Sequence, residues 1–125
     1  MKTSYFSCPG LDISRAVAIS QGVPKSYKGR VYKALAPSWA LIKIKDMEVY
    51  TQRYKLEVLA RLDPRKVYED LGEDAILLCW EKPGEPCHRR LVAEWLEESI
   101  GIKVPEYNHP GKKIENPAFS QQSLF

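Results

Sequence analysis

Long apolar runs are missing from this 125-residue chain. No segment approaches the roughly 20 consecutive apolar residues that cross a bilayer, so no membrane span is expected. Met1-Lys2-Thr3-Ser4 leads straight into a strand-like run, so no secretory leader is expected either. Cysteine is scarce. Three residues without a close pair argue against a disulfide framework and for a reducing, cytoplasmic setting. No C-x-x-C pair occurs. Cys8, Cys79, Cys87 and His88 are soft ligands, but their spacing does not match a structural zinc site, and no metal centre is expected. A large charge excess is also lacking: the net charge of +3 does not by itself demand a nucleic-acid partner. There is no internal repeat.

What remains is an ordinary globular composition, with 44% apolar and 28% charged residues. The length suits one domain with a real core. One stretch organises it. Ala75-Ile76-Leu77-Leu78-Cys79-Trp80-Glu81 is short, apolar and bounded by turn residues, as a strand buried in a parallel sheet would be. Lys82-Pro83-Gly84-Glu85-Pro86 is a tight turn. Cys87-His88-Arg89-Arg90 then opens a helix with Leu91, Val92, Trp95 and Leu96 on one stripe and Gly101 at its end. A helix start offers free N–H groups and the positive end of the dipole. A cysteine there, beside His88, Arg89 and Arg90, has its thiolate favoured. The same corner would equally hold an anion such as phosphate. Glu81 places a carboxylate near it, as a base or as an orienter of His88 or Arg89. The plain alternatives stand beside these: a buried packing cysteine, a core-edge histidine in register with Val92 and Trp95, and a solvated turn glutamate.

Along the chain, Thr3–Ser7 alternates as a first strand and ends at the turn Cys8-Pro9-Gly10. If it lies parallel to the strand at 75–80, Cys8 and Cys87 open onto one crevice at the carboxyl ends of the strands. Ala16–Ile19 is a second strand. Residues 25–33 interleave Lys25, Lys28, Arg30 and Lys33 with Tyr27 and Tyr32. Such a segment suits phosphates and stacked bases, or a solvated loop anchored by its tyrosines. Trp39–Ile44 fits either a strand or a short helix. Asp46 caps a long helix whose stripe is Met47, Tyr50, Tyr54, Val58 and Leu62. Asp63-Pro64 starts a shorter helix closed by Leu71-Gly72. Strands alternating with helices predict a small three-layer α/β domain with a mostly parallel sheet, Rossmann-like or flavodoxin-like, over 1–105.

Cys79-x-Glu81 followed by Cys87-His88-Arg89 resembles the signature of a bacterial, archaeal and phage family, the domain of unknown function four-eight-eight, which includes YeaO-like proteins. Further pieces agree in order: Ser7-Cys8, Ile19-Ser20-Gln21-Gly22-Val23-Pro24, Leu35-Ala36-Pro37-Ser38, Tyr50 and Tyr54. The resemblance implies an α/β fold and an active site around Cys-His-Arg, with no settled reaction.

Residues 106–125 change character: polar, proline-bearing and aperiodic, they are expected to form an extended tail. The tail ends in Gln121-Gln122-Ser123-Leu124-Phe125. This pentapeptide resembles the peptide by which bacterial proteins bind the DNA polymerase sliding clamp. Gln121 stands at the leading glutamine, Ser123 at the Ser/Asp position, and Leu124-Phe125 at the hydrophobic pair; Gln122 replaces the usual leucine. A few buried anchors would supply the binding energy. The alternative is that Phe119, Leu124 and Phe125 fold back onto the domain.

The sequence therefore points to a protein of DNA metabolism. Cys87, His88 and Glu81 are the catalytic candidates. Arg89, Cys8, Arg90, Lys25, Lys28 and Arg30 are the anion- or substrate-binding candidates. Gln121, Ser123, Leu124 and Phe125 are the clamp contacts. The rivals are a non-catalytic anion- or nucleotide-binding module and a small-metabolite enzyme without a DNA role. No cofactor is legible.

Overall fold

The computed structural model describes residues 1–80 and 88–107. Four strands, β1 (Lys2–Tyr5), β2 (Ala16–Ala18), β3 (Arg30–Val31) and β4 (Ile76–Cys79), form one sheet in the order β1-β4-β2-β3, with every pair parallel. β4 is central, as its unbroken apolar sequence predicts, and all four of its residues are buried. Its register is Lys2 to Ile76 and Tyr5 to Cys79 on one side, and Ala16 to Ile76 and Ala18 to Leu78 on the other. The helices are α1 (Trp39–Ile42), α2 (Met47–Glu57), α3 (Pro64–Leu71) and α4 (His88–Ile100).

Local chemistry sets their ends. Ser38 Oγ accepts from Leu41 N at the start of α1. Asp46 accepts from Glu48 N and Val49 N at α2, and Asp63 from Arg65 N at α3, where Pro64 takes the first turn. Gly72 and Gly101 follow α3 and α4 with φ of 92° and 73°, where a side chain would be strained. The helix expected to run from Met47 to Leu62 stops at Glu57 and tightens into a 3-10 turn at Leu59–Arg61. That turn tucks Leu59 into the core. Met47, at the head of the predicted stripe, stays largely exposed, whereas Tyr54 and Val58 are buried.

The main core lies on one face of the sheet, where Val17, Ile19 and Leu77 meet Leu41, Tyr54, Val67, Val92 and Leu96 from all four helices. The parallel α/β fold is as the sequence reads. The third layer consists of loop side chains: Phe6, Leu11, Tyr27 and Tyr107 cover Ala16, Ile76 and Leu78 on the opposite face.

Order continues past the domain boundary drawn at 105. Thr3 N donates to Pro105 O at 3.0 Å and Tyr107 N to Thr3 O at 2.6 Å, so 105–107 lies along the free edge of β1 with a parallel bridge between Thr3 and Glu106. The last eighteen residues of the tail, with the clamp-like peptide, lie outside the described residues, as does 81–87.

The Tyr54 hydroxyl, fully buried on α2, donates to Leu35 O at 2.6 Å and ties that helix to the turn after β3. Tyr54→Phe should cost about 1–2 kcal/mol, because the carbonyl is left unpaired in the core. Urea unfolding checks this; an unchanged midpoint would mean that the bond adds nothing.

Candidate active site at the carboxyl edge of the sheet

All strands being parallel, their carboxyl ends share one edge, where open α/β sheets place their ligands. Three segments converge there. β1 runs out into Phe6-Ser7-Cys8, with Phe6 N donating to Cys79 O and Cys8 N to Tyr5 O. β2 runs out into Ile19-Ser20, with Ile19 N donating to Leu78 O. β4 ends at Cys79. The first residues of α4 come back to this edge from the helical side.

His88 and Arg89 begin α4, and both are buried. The short contact of 2.6 Å between His88 Nε2 and Ile19 O requires that Nε2 carry the proton, since a carbonyl only accepts. The ring packs against Tyr54 at 5.5 Å between centroids. Burial lowers the His88 pKa to about 4, the Ile19 carbonyl opposing this and the Arg89 charge adding to it. His88 is therefore neutral at pH 7 and ties α4 to the end of β2.

Arg89 has 2% of its surface exposed. Its Nε and Nη2 donate to the two oxygens of Glu106 at 3.1 and 3.2 Å, and Nη1 reaches Cys79 Sγ at 3.0 Å. Thr3 Oγ1 also donates to Glu106. A guanidinium this deep is tolerated only when it is paired and its donors are satisfied. Tyr5 belongs to the same cluster. Burial raises its phenol pKa, as do the charge of and a hydrogen bond with Cys8, while Arg89 lowers it. Tyr5, Cys8, Cys79, Arg89 and Glu106 thus surround one spot at the end of β1 and β4.

Cys8 is a half-buried free thiol, whereas Cys79 is disulfide-bonded. The expectation of reduced thiols throughout is corrected on Cys79, although a single bond is no framework. Among the described residues no group of three metal-ligating side chains exists.

The other candidates fall in different places. Arg90 is turned to the protein, donating to Thr3 Oγ1 and Val104 O, both at 2.8 Å. Arg30 donates to Leu71 O and Asp70 O at 3.0 and 2.9 Å, where it satisfies the last carbonyls of α3. Lys25 and Lys28 are exposed on the loop between β2 and β3. Glu81 and Cys87, and the tail residues Gln121, Ser123, Leu124 and Phe125 expected to contact a clamp, lie outside the described residues. Tyr5 and Glu106 were not singled out by the sequence. Glu106 is 17 residues from Arg89 and carries no local signal. Tyr5 sits in an alternating strand, where an aromatic reads as packing. A separate cleft of about 430 Å³ lies between the loop after β2 and the end of α2, lined among others by Gln21, Ser38, Leu41 and Arg61. Among the described residues, none of the site candidates from the sequence lines it.

A family model, DUF488-N3a, described as the active DUF488-N3 subclade, matches residues 3–100. No curated protein and no solved structure matches the chain.

Two outcomes follow from this geometry. Glu106→Ala leaves a buried guanidinium without its carboxylate and should destabilise the fold by about 3 kcal/mol, at the low end for a broken buried pair because Glu106 is partly wet. The double variant Arg89→Met, Glu106→Leu should recover most of that loss in urea titrations. His88 gives a pH dependence. Its folded pKa of about 4 lies below the unfolded value of about 6.5, so the unfolded chain binds the extra proton between them. Stability is full above about pH 6.5 and should fall by at most about 3 kcal/mol as the pH drops toward 4. In His88→Asn that slope should shrink; an unchanged pH profile would place the titration elsewhere.

Proposed function

The chain belongs to the DUF488-N3a family, and on that premise we propose that it is a cysteine-dependent enzyme acting on a nucleotide or nucleic acid in DNA replication or repair. The observation that carries this reading is the buried Arg89 bridging Cys79 Sγ and Glu106 at the carboxyl edge. A desolvated charge beside sulfur is costly, and such arrangements concentrate where chemistry needs them. The description of the matched family as an active subclade supports the same reading. In the sequence Cys87 directly precedes His88, the first residue of α4, and a helix start favours a thiolate. In the reduced protein Cys87 is the nucleophile or the anion cradle. Glu81 is the base. His88 and Arg89 hold the frame in which they act. The tail recruits the protein to the bacterial sliding clamp through Gln121, Ser123, Leu124 and Phe125.

One observation favours a second reading, a non-catalytic anion- or nucleotide-binding module. His88 and Arg89 spend hydrogen bonds on the protein itself.

Thiol alkylation of the reduced protein across pH separates the two. The catalytic reading expects a thiol that reacts well below the ordinary cysteine value of about 8.5 and disappears in Cys87→Ser. A thiol titrating at or above that value removes the nucleophile. Recruitment is tested with a purified sliding clamp. The intact protein should bind in the micromolar range, and replacing both Leu124 and Phe125 by alanine should abolish binding. If the intact protein does not bind, the clamp reading fails.

A further inference from the structure

Trp80 directly follows the central strand, yet 52% of it is exposed. Most tryptophans so close to a core bury their ring, because that burial is a large favourable term. The indole is nonetheless held in place. Its Nε1–H donates to Gly22 O at 3.0 Å. Phe6 packs against it edgewise, with centroids 5.1 Å apart and planes at 63°. Phe6 meets Tyr27 in the same way at 5.3 Å and 72°. Tyr27 is fixed in turn: its hydroxyl donates to Arg30 O at 2.6 Å, and its ring lies so close to Gly29 that a Cβ there would come within 2.3 Å of the phenol oxygen. Three rings thus form a rigid cluster at the carboxyl ends of β1 and β4, with the indole half open to water.

The part of the chain that carries Phe6 and Tyr27 is rich in basic residues and poor in acids. Residues 1–45 contain 8 of the 19 basic residues and only 1 of the 16 acidic ones. From Ala16 to Lys45 there is no acid at all. Arg30 is occupied at the end of α3, and Lys33 donates to Gln21 O. Lys25 and Lys28 are exposed on the loop that carries Tyr27, and among the described residues neither is in an ion pair.

We infer that Trp80, braced by Phe6 and Tyr27, is a stacking platform for an unpaired base of single-stranded nucleic acid, with Lys25 and Lys28 taking the neighbouring phosphates. An exposed, immobilised ring recognises a π face, which every base has and which a duplex hides. Cations one loop away match the anionic backbone on either side of the stacked base. This inference rests on the nucleic-acid reading above and names the form of substrate that the carboxyl edge receives.

The test is anisotropy of a labelled oligothymidylate with the full chain at low salt, with a duplex of equal length as competitor. The wild type should bind the single strand and prefer it to the duplex. Trp80→Ala should weaken binding by roughly 5- to 100-fold, the loss expected for one stacked base. Trp80→Phe, which keeps a ring, should retain most of the affinity. The pair Lys25→Ala, Lys28→Ala should flatten the salt dependence by roughly one to two phosphate contacts. Melting curves confirm that each variant is folded. Equal affinity of the folded Trp80→Ala variant overturns the platform, as does equal binding of duplex and single strand. Absence of oligonucleotide binding by a wild-type protein that still binds the clamp and still shows an acidic Cys87 thiol also overturns it, and leaves the enzyme reading standing. A Trp80→Ala variant that loses clamp affinity instead assigns the ring to a protein contact.

Discussion

A guanidinium cannot be placed in a protein interior without partners, and Arg89 carries that requirement into the architecture. Its Glu106 partner lies on 105–107, which must therefore pair along β1. Its sulfur partner closes β4. Because Arg89 belongs to the first turn of α4, the helix cannot slide without breaking both contacts. Arg90, the next residue, adds Thr3 and Val104 to the same seam. Two consecutive arginines that look like ligand-binding groups in the sequence thus spend donors on holding the outer strand, the central strand and the last helix in one register.

His88 performs the matching task on the other flank. Its proton is committed to Ile19 O and its ring to Tyr54, which is itself bonded to Leu35 O. A relay of buried polar contacts therefore runs from α4 through the end of β2 and α2 to the turn after β3. A neutral imidazole is what this relay needs, and burial keeps it neutral. His88 and Arg89 thus belong to a frame that is fixed on both sides before any ligand arrives.

The fold was legible where one residue's local chemistry decides. Asp46 and Asp63 cap helices, and the unbroken run at 75–80 becomes the central strand. The signals failed where the decision is long-range. β3 is two residues inside a basic segment, and only its pairing with β2 makes it a strand. Glu106 sits in a stretch whose composition reads as tail, and Arg89, far away in sequence, fixes it. Arg30 reads as a phosphate ligand from its neighbours, yet it satisfies the end of α3, a helix 34 residues further on, counted from Arg30 to Pro64. Of the Cys-His-Arg signature, Arg89 meets Cys79 and His88 meets Ile19 O at the carboxyl edge. The signature did not distinguish residues that touch a ligand from residues that hold the wall.

A parallel sheet ends in two rows of unpaired amides and carbonyls, each a template on which another chain can add a strand. One row here belongs to β1, and Pro105–Tyr107 already occupies it. The other belongs to β3, which is only two residues long and carries the bulky charged Arg30 at its head. The segment that neutralises Arg89 therefore also seals the sheet against self-association: a change that frees 105–107 would expose a growth edge in the same event that strands a buried charge.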